Sequence, residues 1–463
     1  MDTITANNAS FSIHIENKYA SGKAKRPRGP RSALRLYQPQ NDIESQAVAY
    51  YVYGHLQTLK DSPNLSQGLA ECVLTWSATG THCPMVDLAL ASVALAVFSR
   101  TQKHPVAGST AASKYQQLLR LARTALSTTN EKSVDASLLT VFLMGRYEAV
   151  LVPKHHANST NSFESLHTWS HHDGSLAILR IWHDSPNRKT ASSIIKHARR
   201  DVIRSCVLRA LPVPEWLSNG EIFGETSRET HCDSLTVRIA NLYATTCLLE
   251  NKSRHQLSKL IALNDEAQAL HESLKDWANE ISSSWSYQQH QVPTSGPLPR
   301  LHFYSETVYS FLNAGVGAIW CHYFANRMFL SSICLRVLNL NHTTQSFDLI
   351  YELQRLKYTN SIRNSSEKLA ATIPFCLDKF KVSRNSSSEE SQNSMSNQLI
   401  LNNEEEIKPH LVMLVVWPLG LGSSLVEVES EKRQWFKTEL AHLGRVSGSG
   451  VLECADNLEW ASL

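Results

Sequence analysis

An all-α body of many amphipathic helices, packed as a bundle or in solenoid-like fashion, is the fold class this sequence predicts. Three features predict it. Apolar residues recur at helical spacing from about residue 43 onward, Gly and Pro are sparse at 18 and 16 in 463 residues, and no series of alternating strands can be read. With 42% hydrophobic and 19% charged residues, the chain is long enough and apolar enough to bury a sizeable core.

Residues 1 to 40 read as a flexible basic segment, and 41 to 463 as one helical domain. In the stretch KAKRPRGPR, Lys23, Lys25, Arg26, Arg28 and Arg31 stand among Pro27, Gly29 and Pro30, which prevent a helix. An exposed, extended basic peptide suits nuclear import, or loose, salt-sensitive contact with phosphate. Helical faces then follow: Val86, Leu90, Val93 and Val97; Tyr115, Leu118, Ala122 and Leu126; Leu235, Ile239, Leu242 and Leu249. A long aromatic-rich helix is expected through Val308, Phe311, Gly315 and Ile319 to about Leu338. Loops are expected at PVP (212 to 214), SNGE (218 to 221) and VPTSGPLP (292 to 299). The serine-rich stretch within about 381 to 405 cannot bury enough apolar area to offset its ordering cost, so a disordered loop is expected there.

Forty-five basic against 42 acidic residues leave a net charge of +3, so no overall field draws the body onto nucleic acid or anionic lipid. The first 20 residues lack a basic start followed by an apolar stretch, and runs such as LVMLVVWPLGLG stop short of the roughly 20 residues that span a bilayer. An intracellular chain without membrane contact is expected, its Asn-x-Ser/Thr matches unglycosylated. The nine cysteines (Cys72, Cys83, Cys206, Cys232, Cys247, Cys321, Cys334, Cys376 and Cys454) are dispersed and never spaced as Cys-x2-Cys. Buried free thiols are expected, with neither a disulfide framework nor a zinc knuckle.

The segment HTWSHHDGSLAILR gathers His167, His171, His172 and Asp173 before a glycine and an apolar run. On a helix, His167 and His171 share a face one turn apart, a spacing that presents two imidazoles to zinc, but no third ligand is apparent, and His155, His156 and His183 are not fixed by the pattern. Asp173 follows His172 directly, without the intervening residues of the acyltransfer His-His motif, so a general-base role is not supported. Packing is the better account, Gly174 allowing close approach before Leu176, Ile178, Leu179 and Ile181. GLGSS (420 to 424) lacks the lysine of a phosphate loop, and no GxSxG elbow occurs. No catalytic residue, cofactor site or metal site is expected. The aromatic stretch from 303 to 329 is expected as core, with a pocket for a small-molecule effector somewhere in the helical body as an alternative.

Several blocks in order resemble the C-terminal regulatory region of fungal zinc-cluster transcription factors, the fungal-specific transcription factor domain. They are HHDGSLAILR (171 to 180), LPVPEWLSNGEIFG (211 to 224), GAIWCHYFANRMFLSSICLRVL (317 to 338), IPFCLD (373 to 378), VVWPLGLGSS (415 to 424), RQWFKTEL (433 to 440) and LGRVSGSGVLECADNL (443 to 458). Ala-Asn-Arg stands where that family has Tyr-Arg. The resemblance implies an all-helical regulatory module of a nuclear regulator of RNA polymerase II genes, with the His-Gly block a structural helix start. Members of that family begin with six cysteines in two Cys-x2-Cys-x6-Cys halves, whereas the first cysteine here is Cys72. A basic linker without its cluster suggests a missing first exon or a divergent paralogue. Direct sequence-specific DNA recognition is therefore not expected, and other regulators or a second copy of the chain are the expected partners.

Overall fold

A computed structural model of the protein describes residues 42–58, 69–151, 169–225, 228–250, 257–281, 283–293, 296–341, 349–383, 398–402, 405–457 and 463. The basic peptide with Lys23, Lys25, Arg26, Arg28 and Arg31 lies outside them, as do His155, His156, His167 and residues 384 to 397. From residue 43 on the described chain is all-α, with two very small sheets.

Seven helices form the first part: α1 (Ile43–His55), α2 (Leu69–Ala78), α3 (Pro84–Thr101), α4 (Pro105–Ala125), α5 (Val134–Val150), α6 (Ser170–His183) and α7 (Ser193–Leu208). Pro84 and Pro105 each stand in the first turn, where the missing N–H costs nothing and φ is already helical. His104 caps α4, its Nδ1 accepting from the Ala107 amide at 3.3 Å. Ser192 caps α7, accepting from the Ile195 amide at 3.4 Å while its hydroxyl donates to Asp135 at 3.0 Å. The predicted faces of α3 and α4 are buried at Val86, Val93, Val97, Tyr115, Leu118 and Ala122. By length and composition α3 is apolar enough to cross a bilayer, which was not expected from the run at 411 to 422. In this fold it packs against α1, α4 and α5.

The second part holds α8 (Arg228–Glu250), α9 (Leu257–Glu280), α10 (Ala314–Asn341), α11 (Leu349–Cys376), α12 (Val416–Ser424) and α13 (Ser430–Ser447). At its centre runs α10, which touches α8, α9, α11 and α12 and is apolar on nearly all sides. The helix expected from Val308 starts six residues later. Asn313 ends the preceding segment by accepting from the Val316 amide at 2.9 Å, and Val308 belongs to a strand instead, β2 (Thr307–Ser310), paired antiparallel with β1 (Gln288–Gln291). A second ribbon pairs β3 (Phe380–Ser383) with β4 (Gln398–Leu401), so the ends of the loop expected over 381 to 405 are ordered. Phe380, Val308, Val292 and Phe303 bury a small apolar cluster that holds the two ribbons.

The packing is that of a bundle, because residues far apart in sequence meet. In a solenoid each unit touches only its neighbours. Here Arg100 of α3 pairs with Glu453, and Ser449 donates to the Ala149 carbonyl at 3.2 Å. A Cβ at Gly444 would stand 2.4 Å from the Glu453 amide nitrogen, and one at Gly450 would stand 2.7 Å from the Val150 carbonyl oxygen. These two glycines are what let the last turns close onto α13 and α5. Helix α7 joins the two parts, packing against α2, α5 and α6 and also against α8.

Candidate functional site

The histidine corner divides among its neighbours. His171 Nε2 lies 2.9 Å from Glu148 of α5. His172 Nε2 faces Asp201 of α7 at 3.4 Å, and Asp173 accepts from Arg209 at 2.6 Å. Glu148 also accepts from the Tyr115 hydroxyl at 2.7 Å, and Arg209 sits over the Trp169 ring. Three consecutive side chains thus point to three partners and converge on nothing, so the corner ties α6 to α5 and α7. His183 turns to its own neighbour Asp184 at 2.8 Å. Gly174 does not mediate a close approach, since a Cβ there would meet Val141 at an ordinary 3.9 Å.

Other candidates resolve similarly. GLGSS lies inside α12, where Gly422 packs on the Phe436 ring. Cys321 and Cys376 bring their sulfurs to 3.9 Å, with burial pushing the Cys321 thiol well up; no set of three His, Cys, Asp or Glu side chains placed to hold a metal occurs among the described residues. Cys72, Cys206, Cys321, Cys334 and Cys376 are buried, while Cys83, Cys247 and Cys454 are partly buried, short of the full burial expected, and none of these eight forms a disulfide. Glu439, fully buried, accepts from the His302 amide at 2.5 Å and contacts its Nδ1 at 3.0 Å. This clamp holds His302 at a φ of 69°. The aromatic residues of α10 fill the core: Trp277 stacks on Tyr323, and Tyr287 meets Trp320 edge-on.

The chemistry that stands out is cationic and buried. On α7 the apolar positions Ile195, Ala198, Val202 and Cys206 mark the inner face, and Arg199 lies on it. Arg199 is 1% exposed. Its guanidinium donates to the Leu217 carbonyl at 2.8 Å, to Glu225 at 2.5 Å and more loosely to the Ser218 carbonyl at 3.5 Å, with the Phe223 ring over it. Residues 214 to 225 wrap this side chain, and the wrap depends on Gly224, which turns the chain at φ 68°. Glu225 also faces Arg200 at 2.9 Å, and Arg200 donates to Asp233 at 2.7 Å.

One turn on, Arg204 borders a cavity of about 30 Å³. Arg200, Ile203 and Arg204 line it from α7, Asp233 and Thr236 from α8, and Trp417 from α12. Helix α10 adds Ile319 and the polar His322 and Asn326, one line at helical spacing and not its aromatic face. Arg204 sits over the Trp417 ring at 6.0 Å, and among the described residues it makes no hydrogen bond or ion pair. Burial pulls its pKa down, opposed by Asp233 and Asp201 and reinforced by Arg200. A guanidinium nonetheless keeps its charge. Arg200 is desolvated too, but Asp233 and Glu225 outweigh that and hold it above its ordinary value. His322 is pushed down to about 3, first by burial and then by Arg204 and Arg200, and is therefore neutral. Sequence reasoning missed this cavity. The available signal was RRDVIR, which sets arginines among the inward apolar positions of one helix.

Comparison of the chain with protein-family models, with curated proteins and with solved structures finds no match in any of the three.

Proposed function

We propose that this chain is a fungal transcription regulator of the zinc-cluster class that acts through its helical body, with other regulators or a second copy of itself as partners. In this reading its contact with DNA is indirect or nonspecific. What carries the reading is the placement of the resembling blocks. Block 171 to 180 lies in α6, block 211 to 224 forms the wrap around Arg199, and block 317 to 338 lies in α10, the central helix. Those at 415 to 424 and 433 to 440 lie in α12 and α13, and the described part of the last block, 443 to 457, supplies the closing turns. With the block at 373 to 378 at the end of α11, all seven blocks belong to one helical assembly, as a single regulatory module requires. In this reading Lys23, Lys25, Arg26, Arg28 and Arg31 serve nuclear import.

A second reading, a helical sensor of a small molecule, is favoured by the small polar cavity beside Arg204. Fusing the full chain to a heterologous DNA-binding domain tests the first. A several-fold change at a matching reporter is expected, with nuclear accumulation that is lost when the five basic residues are replaced by Ala. An inert fusion together with a chain excluded from the nucleus overturns the proposal. Tight, sequence-selective retardation of promoter DNA by the purified chain overturns the indirect mode of DNA contact.

A further inference from the structure

We infer that the first turns of α11 are a dimerisation surface, on which Leu349, Leu353 and Leu356 pair in parallel with the same helix of a second copy of this chain. A second copy is one of the partners proposed above, and to that extent the inference rests on that reading. Burial along α11 fixes which side looks outward. Tyr358, Ser365 and Thr372 recur every seven residues and are all buried, and one heptad earlier the Tyr351 hydroxyl donates to Asn339 of α10 at 2.9 Å. That line faces the body. The opposite side carries Leu349, Leu353 and Leu356, exposed at 62%, 58% and 56%, in the alternating spacing of four and three that makes a coiled-coil seam. From Leu349 to Lys357 no residue is buried, so the helix opens with an apolar stripe that the body leaves uncovered.

The residues around the stripe say what covers it. In heptad terms Leu349 and Leu356 stand at d, and Leu353 and the exposed Asn360 at a. A single asparagine at a suits two parallel strands, where it meets its own counterpart across the seam. Glu352 and Lys357 then fall at g and e, both exposed. A parallel pair sets the Glu352 carboxylate of one copy against the Lys357 ammonium of the other, whereas an antiparallel pair sets glutamate against glutamate and lysine against lysine. Glu352 also accepts from Arg355 of its own helix at 3.3 Å. The next d position is Arg363, which turns to Glu429 at 2.9 Å and ends the seam. About two heptads are too few for a free-standing coiled coil, but here the helix is already held by its buried side, so pairing orders little new chain. A small interface of this kind gives a weak, concentration-dependent dimer.

Sedimentation equilibrium of the purified full chain, from low to high micromolar concentration, tests this. A reversible monomer–dimer equilibrium is expected, weakened about tenfold or more by Leu353→Glu/Leu356→Glu with no loss of melting temperature in the dilute chain. Glu352→Lys and Lys357→Glu should each weaken it several-fold, and an equimolar mixture of these two variants should restore it, since every contact between g and e then joins opposite charges again. A monomer at all concentrations overturns the inference. If that monomer melts lower in Leu353→Glu/Leu356→Glu, another segment of the chain covers the stripe; if it does not, the stripe belongs to a different protein. A dimer unchanged by the double leucine variant overturns the surface, and one unchanged by both charge variants overturns the parallel register. The charge variants alter exposed residues alone and read the same surface should the leucine variant not fold. The reporter and nuclear-accumulation results decide the regulator reading separately, because a monomer can still act through other regulators and a dimer can form in an inert chain.

Discussion

Removing the Glu225 carboxylate tests whether the wrap around Arg199 holds α7 in place. Glu225 is almost wholly buried and bridges two guanidiniums, at 2.5 Å to Arg199 and 2.9 Å to Arg200. In Glu225→Gln, Arg200 retains Asp233, but Arg199 keeps only the Leu217 and Ser218 carbonyls for a full charge that is 1% exposed. Breaking a buried pair on one side costs about 3–5 kcal/mol, most of it the penalty of the stranded charge. The companion Arg199→Met strands the opposite charge less severely, since Glu225 still faces Arg200, and it leaves the Leu217 carbonyl without its donor, a loss of about 1–3 kcal/mol. The double variant Arg199→Met/Glu225→Gln removes both charges, so it should be at least about 2 kcal/mol more stable than the two single losses predict together. Urea unfolding followed by helical circular dichroism measures this, with midpoints compared only where the slope is unchanged. A Glu225→Gln loss below about 1 kcal/mol, or strict additivity in the double variant, would refute the reasoning.

Three other outcomes are expected. Gly444→Ala should destabilise by about 3 kcal/mol or more, because its Cβ meets backbone that cannot move aside, whereas Gly174→Ala should be neutral or stabilising by up to about 1 kcal/mol, and thermal melts of the two variants separate these cases. Burial holds His55 and His197 down at about 4, so the folded chain refuses protons that the unfolded chain accepts below about 6.5. Both depressed values make stability complete above pH 6.5 and lost as pH falls towards 4, by about 2 kcal/mol for each histidine at pH 5; urea midpoints that stay flat from pH 7 to 5 would contradict this, and His197→Gln should lessen the slope. His171→Ala and His172→Ala should each cost about 0.5–1.5 kcal/mol in urea unfolding and combine nearly additively, since Glu148 and Asp201 are separate partners. A cost well above the sum in the double variant would point to a shared site.

Helical periodicity and sparse Gly and Pro were enough to foresee the all-α class and the inner faces of α3, α4 and α8, because burial of an apolar stripe is written locally, at spacings of three and four residues. The packing role of His171 and His172 was legible for the same reason: the pattern offered no third ligand and no spaced acid. Strands of four residues, such as QQHQ and TVYS, are too short to show alternation, so the ribbons and the true start of α10 emerged only from pairing across the chain. Gly174 looked like the point of close approach, yet that role belongs to Gly444 and Gly450, since crowding depends on which backbone arrives from elsewhere. The arginine cavity is the clearest case. The order of residues in RRDVIR states that positive charges occupy an inward face of α7, but it does not say that Glu225 and Asp233 satisfy two of them while the third meets an open space between four helices. Local spacing governs which side of a helix is buried, whereas the balance of buried charge is set by groups tens to hundreds of residues away, which only the folded chain brings within a few ångströms.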